Sequence, residues 1–408
     1  MRTLRLGLAG FLLGLTAPLG IQGQSTVAAP SADPLIARES AHPSGFPRIL
    51  VLDAPGSALV TFRLSVPIDP GVDAATVAPI LMALAEDRIR GSAATLGAQI
   101  EVGSSATALS YTVTGALVDL DHLTYLLRQA TAAPRASEGF AAARTDLEAR
   151  LARIGETGEG RVESELRGQA APDEASVGEV RNRLRRLEFA DVERVWRDSH
   201  RPPRMTLVVV GDVATPVLLA ALSGLGATPP PDPPSLPMSP STAPPDRPDL
   251  LRSWSGFAWA SSPTLDPRAP VAASLAARFL REERSGYEAY VRLWEGRNQD
   301  VLAVVGSGYG GDATALRRRL ASLPSDLAAG LDAAAVDDVV ERLHWTLLGQ
   351  ARTPWGRAAL VGRFLDAGAS PDAARRYLDE LRALTVDDLR SYLEQLAARS
   401  PSTAEAGQ

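Results

Sequence analysis

The chain has 408 residues, enough for two domains that each bury a core of their own. Its net charge of -6, with acidic and basic side chains interspersed, excludes the basic footprint of a nucleic-acid binder. Cysteine is absent, so no disulfide can form, and lysine is absent too, a bias of a GC-rich genome more than of guanidinium chemistry.

At the N-terminus, Arg2 and Arg5 precede an apolar run over 6–19 and small residues over 20–25, the layout of a secretory signal peptide. The run is short for a membrane span, and no later stretch reaches the roughly 20 apolar residues a helix needs to cross. Without a cysteine after the run, a lipoprotein anchor is not expected. Residues 1–24 are therefore expected to be a signal peptide and 25–45 a flexible leader, with the mature protein exported to a periplasm.

Strands are predicted over 50–53 and 58–66. A helix follows, on which Val77, Ile80, Leu81 and Leu84 recur at helical spacing as a core-facing stripe. Thr76 reads as its cap and Pro79 as a first-turn residue, where a missing N–H costs nothing. Strands over 98–102 and 108–114 come next, ending at Gly115. A helix over 137–154 carries Phe140, Leu147, Leu151 and Ile154 on one face, and 205–211 is a continuous apolar strand. Residues 228–249 are dense in proline, a stiff segment unable to join a sheet interior. Beyond it, helices are predicted over 269–280, 313–323, 334–348, 354–365, 371–381 and 386–396. Strands over 290–294 and 301–305 lie between the first two, and the polar tail 399–408 reads as frayed.

The Pro-rich segment divides the chain into halves over 46–227 and 250–398, which read as distant copies. Residues 187–196 (LEFADVERVW) parallel 384–393 (LTVDDLRSYL), and at a similar offset 111–115 parallel 301–306. Strands bunched beside runs of helices, without strict alternation, predict an α+β architecture in each half.

Taken together, these pieces resemble the insulinase-like, or pitrilysin-type, M16 zinc peptidases. The most specific fragment is Arg201-Pro-Pro-Arg-Met-Thr-Leu-Val-Val-Val-Gly-Asp-Val213, similar to the end of the family's N-terminal domain. Leu96-Gly-Ala-Gln-Ile100, followed by Tyr111-Thr-Val-Thr-Gly115, is the second match. The resemblance covers about 48–396 and implies two homologous α+β domains, each a mainly antiparallel sheet packed against helices. It also implies that substrate is enclosed between two such halves or subunits.

Active members carry His-x-x-Glu-His on the helix before the Leu-Gly-Ala segment. There two histidines one turn apart bind zinc, and the Glu serves as general base for a metal-bound water. Here the matching positions are Ala74, Val77 and Ala78 when Gly71 anchors the alignment, or Pro79, Met82 and Ala83 in a later register. Neither set offers a metal donor or a base. The family's third ligand, a Glu, falls near Glu148. The expectation is no metal in this chain, with zinc held by a partner subunit instead.

The resemblance implies one further element. In active members an Arg and a Tyr of the second half contact the substrate carbonyl and its tetrahedral intermediate, a role suited to a guanidinium and a phenol. Arg281-Glu-Glu-Arg-Ser-Gly-Tyr-Glu-Ala-Tyr290 lies in the matching place. Arg281 with Tyr290 is the candidate pair, and Tyr287 is the competing tyrosine.

Other chemistry is thin. His42, His122, His200 and His344 are too far apart in sequence for any two to share a helix face. Asp119, Asp121 and His122 read as a capped helix start. Glu86 and Asp87 read as a solvated helix end. Gly306-Ser-Gly-Tyr-Gly-Gly311 is a Gly-rich turn without the Lys of a phosphate loop. The expected function is an exported, catalytically incomplete subunit pairing with a zinc-bearing M16 subunit to enclose extended peptide. The alternative is a purely structural or binding protein, as with M16-like core subunits of respiratory complexes.

Overall fold

A computed structural model describes residues 35–40, 47–69, 71–135, 139–172, 174–223, 252–261, 264–282, 288–309 and 311–407. The signal-peptide segment 1–24, the Pro-rich segment 228–249, His42 and Tyr287 lie outside the described residues.

The first half begins with β1 (Arg38–Ser40), β2 (Arg48–Asp53) and β3 (Leu59–Pro67), then α1 (Val72–Leu96), β4 (Gln99–Ser104) and β5 (Ala108–Ala116). Five helices follow: α2 (Leu120–Ala130), α3 (Phe140–Glu156), α4 (Gly158–Ala170), α5 (Val177–Leu184) and α6 (Phe189–Ser199). β6 (Thr206–Gly211) and α7 (Thr215–Leu222) close the half. The second half runs β7 (Ser253–Ala260), α8 (Arg268–Glu282), β8 (Glu288–Glu295) and β9 (Asp300–Gly308). It continues with α9 (Gly311–Ala329), α10 (Ala333–Gln350), α11 (Pro354–Asp366), α12 (Ala373–Arg382), α13 (Val386–Ala397) and β10 (Ser402–Ala406).

The duplication read from the sequence is an element-for-element repeat. From β3 to β6 and from β7 to β10 the order is the same: strand, helix, two strands, five helices, strand. The sheets agree as well, β6-β3-β5-β4 matching β10-β7-β9-β8, with β1 and β2 extending the first sheet beyond β6. Among the described residues all pairings are antiparallel except β2 with β6. The paralleled segments 187–196 and 384–393 are the starts of α6 and α13, and they share a capping device. Asp191 accepts from the Glu188 N–H (3.2 Å) as Asp388 accepts from the Thr385 N–H (3.0 Å).

Three sequence expectations need correction. The tail is not frayed over 402–406: β10 pairs with β7 from Ser402↔Ala258 to Ala406↔Trp254. It is polar because it forms the outer edge of its sheet, where only Ala404 is buried, whereas its counterpart β6 lies between β2 and β3. The leader is ordered over 38–40, where β1 pairs with β2 and Arg38 meets Asp53. Finally, Thr76 does not cap α1. The helix starts at Val72, Thr76 Oγ1 donates back to the Val72 carbonyl (2.6 Å), and Pro79 sits inside the helix.

Each half also lends the other a helix. α4 lies on β7, β9 and β10, and α11 lies on β3, β5 and β6. Val162, Leu166 and Ala170 of α4 form a core with Ala258, Val301, Ala303, Val305 and Ala404. Leu360, Val361 and Phe364 of α11 share a core with Leu50, Leu52, Val208 and Val210 of the first sheet. The opposite face of the first sheet, with Val60, Phe62, Leu64 and Val113, packs against α1 and its neighbours.

Candidate functional site

α1 packs against α2, α3, α5, α6, β4 and β5, so its motif positions sit where first-half elements converge. Gly97 ends it with a left-handed backbone (φ 63°), and the Ala98 N–H reaches the Ala93 carbonyl (3.0 Å). Val77 is 0% and Ala78 6% exposed, both within the first-half core. Ala74, Pro79, Met82 and Ala83 are half-buried, and Met82 and Ala83 pack on the rim of that core. Both registers therefore present carbon or thioether atoms only.

The first turn of α1 is instead fastened electrostatically. Asp73 accepts from Arg183 of α5 and Arg194 of α6, and Asp191 joins both arginines. Those hydrogen bonds hold the Asp73 carboxyl below its ordinary range. One turn past the motif positions, burial raises the Glu86 carboxyl, against the pull of Arg90 and Arg150. Glu148 on α3, near where the resemblance would put a third ligand, is exposed and paired with Arg144 (3.4 Å). Among the described residues no three His, Cys, Asp or Glu side chains come together as a metal site.

The described histidines stand apart. His122 is exposed and His344 half-buried beside Trp345. His200 is buried, its Nε2 2.8 Å from the Tyr111 hydroxyl and its Nδ1 2.9 Å from Ser199 Oγ, with its ring stacked on Trp196. Burial pushes this imidazole down to about 3, so it is neutral at physiological pH and acts as a core hydrogen-bonding group. Asp119 occupies the N-cap position of α2 but makes no side-chain capping bond, unlike the capped start read from the sequence.

Arg281 and Tyr290 are placed by different elements and share no hydrogen bond. Arg281 is exposed in the last turn of α8, its Nε on the Ala277 carbonyl (3.1 Å). Tyr290, on β8, donates its hydroxyl to Glu163 Oε1 of α4 (3.1 Å). Arg292 Nε binds the same oxygen (3.0 Å) and its guanidinium lies 4.5 Å over the Tyr290 ring. Burial, and then the Glu163 charge, push the phenol well above its ordinary range, so it stays protonated and its donor is already engaged. Sequence reasoning missed this Glu163–Tyr290–Arg292 cluster. Glu163 is remote in sequence, and nothing local marks α4 as the helix that crosses to the other sheet.

A groove of about 480 Å³ runs between α3, α4 and α5, lined by Ile154, Gly160, Ser164, Gly168, Ser176 and Val177, with Arg161 and Glu165 as its charged residues. Among the described residues no helix is long and apolar enough to cross a membrane.

No protein-family model matches the sequence, and neither does any curated protein. Solved structures do resemble the fold. A protease from Helicobacter pylori superposes with a TM-score of 0.75 at 12% identity, covering 91% of this chain and 99% of that one. A peptidase M16 inactive domain from Pseudomonas fluorescens gives 0.71 at 13% identity, over 91% of this chain and 98% of that one. The periplasmic protease PqqL from Escherichia coli gives 0.68 at 16% identity, over 96% of this chain and 49% of that one. Two like α+β halves built on the repeat described above, superposing almost end to end on a peptidase M16 inactive domain, give this chain an M16-type fold.

Proposed function

We propose that this chain is an exported, zinc-less M16-type subunit that pairs with a zinc-bearing M16 relative and completes an enclosure around extended peptide. One observation carries the reading. The α1 positions that would hold zinc and its general base are Ala74, Val77 and Ala78, or Pro79, Met82 and Ala83, and Val77 and Ala78 are sealed into the core. A hydrolytic zinc site needs imidazole or carboxylate donors and an open position for water, and such side chains supply neither. Similarity to a peptidase M16 inactive domain supports retention of the fold without the metal. The N-terminal export layout, together with similarity to a periplasmic protease, supports a periplasmic location.

Of the two side chains carried over from the resemblance, Arg281 is the better placed to meet a partner's substrate, since it is exposed. Tyr290 would first have to release Glu163. The test is co-expression with a zinc-bearing M16 relative, followed by cleavage assays on an unstructured peptide. The pair is expected to cleave faster than the zinc-bearing chain alone, and Arg281→Ala in this chain to slow the pair. Failure of the two chains to co-purify, with equal turnover in its presence and absence, would reject the reading.

A further inference from the structure

We infer that the second half binds one structural water molecule at a buried polar site, where it joins Asp300 of β9, Ser261 just after β7 and Tyr392 of α13. Ser261 and Asp300 are each 1% exposed and Tyr392 is 3% exposed. Asp300 Oδ1, Ser261 Oγ and the Tyr392 hydroxyl are buried without a hydrogen-bond partner among the described residues. Buried polar atoms are ordinarily satisfied, by protein or by ordered water, so three such atoms in one place mark a binding site.

The fold brings the three together. Ala260 pairs with Val301, and the Ser261 N–H donates to the Asp300 carbonyl (2.7 Å), so Ser261 and Asp300 stand opposite each other at the end of the β7–β9 ladder. Opposed residues of an antiparallel pair put their side chains on the same face. Tyr392 reaches that place from α13, which packs on α8 and α9. Burial pushes its phenol up to about 12, the Ser261 hydroxyl pulls it down, and the charges of Asp266 and Asp300 push it up again. The phenol therefore sits among these groups and keeps a proton to donate. A cavity of about 10 Å³ lies between Ser261, Tyr392, Gln395, Leu396 and Arg399, the space that one water needs.

The surrounding charges decide which small ligand fits. Asp266 is committed to the N–H and side chain of Arg268, and Glu295 to Arg363. Asp300 Oδ2 accepts from the Leu265 N–H (2.9 Å), which leaves Oδ1 as an acceptor. A cation would lie beside the Arg399 guanidinium and would give the two hydroxyl protons no acceptor. An anion would meet Asp300. Water donates to Asp300 Oδ1, accepts from Tyr392 and shares one further bond with Ser261, so a single molecule satisfies all three.

The site also fastens a strained turn. Leu265, whose N–H Asp300 holds, is the only non-glycine with a left-handed backbone (φ 64°) among the described residues, and it lies in the turn leading into α8. Such a conformation persists where its surroundings over-determine it. The water ties the carboxylate that clasps this turn to α13, so it couples the entry of α8 to the last helix of the half.

The test needs neither peptide nor a partner subunit, so its outcome is independent of the proposed function. A high-resolution crystal structure of the full chain is expected to show one fully occupied oxygen peak within about 2.6–3.2 Å of Asp300 Oδ1, Ser261 Oγ and the Tyr392 hydroxyl. Absence of that peak, or a peak ringed by oxygens at about 2.3–2.6 Å as around a bound cation, would overturn the inference. Ser261→Ala and Tyr392→Phe supply a second reading in solution. Each should lower the urea midpoint, and the double variant should lose at most about two-thirds of the summed single losses, because both side chains act through the same water. Losses that simply add would also overturn it.

Discussion

Replacing Asp366, at the end of α11, by leucine tests the physics of that helix's contact with the first sheet. The carboxylate meets Arg63 through two hydrogen bonds, and the two side chains are only 6% and 9% exposed. Arg63 Nη1 also donates to Ser65 Oγ (2.6 Å), and Gly362 leaves the guanidinium its room. Removing one partner strands a buried charge, which costs about 3–5 kcal/mol, whereas replacing both by apolar groups of similar volume is often close to neutral. Asp366→Leu and Arg63→Met are thus each expected to destabilise by about 3–5 kcal/mol. The double variant should fall well short of their sum, with a coupling of about 2–3 kcal/mol. Urea unfolding followed by circular dichroism, with all four members of the cycle compared at pH 7, measures this. Single-variant losses below about 1 kcal/mol that simply add would show that the pair is solvated and that α11 does not seal the sheet.

The remaining predictions concern pH and the chain end. His200 keeps its proton off down to about 3 when folded, while the unfolded chain takes one up near 6.5. Its contribution is therefore complete above that range and lost as pH falls through it, by roughly 2–3 kcal/mol at pH 4.5. His200→Gln should flatten the fall in urea midpoint between pH 7 and 4.5. Asp300 runs the other way: burial, and then Glu295, push its carboxyl up to about 7 while the Leu265 N–H on Oδ2 (2.9 Å) pulls it down. The unfolded carboxyl ionises first, so stability is lost as pH rises from about 4 to 7. Asp300→Asn should accordingly stabilise by roughly 2–3 kcal/mol more at pH 8 than at pH 5, measured the same way. Deleting residues 402–408 bares the β7 edge and the core around Ala404, and a loss of at least about 2 kcal/mol with concentration-dependent aggregation is expected by light scattering.

Much of the fold was legible because its elements obey their periods. The apolar run of β6, the stripe on α1 and the twin starts of α6 and α13 each carried their meaning locally. The failures share a cause, which is that neighbours in space set the residue choice. β10 reads as a tail because an edge strand with one buried alanine needs no apolar pattern. β7 escaped notice because Gly256 makes room for α4 in the middle of a strand that also carries Trp254, Phe257 and Trp259. Helix periodicity shows that α4 and α11 have apolar faces, but it does not say whose sheet they cover. At the candidate site, residue types alone show that neither Ala74, Val77 and Ala78 nor Pro79, Met82 and Ala83 carry a metal-binding nitrogen or oxygen in their side chains. They did not reveal that Val77 and Ala78 are sealed, nor that Tyr290 is bound to Glu163.

The central claim is that α1 cannot hold a metal, and native mass spectrometry of the purified chain tests it most directly. After incubation with excess zinc and desalting, the zinc-less reading predicts the mass of the bare polypeptide. Retention of one tightly bound zinc per chain, lost on chelation and regained on readdition, would contradict it.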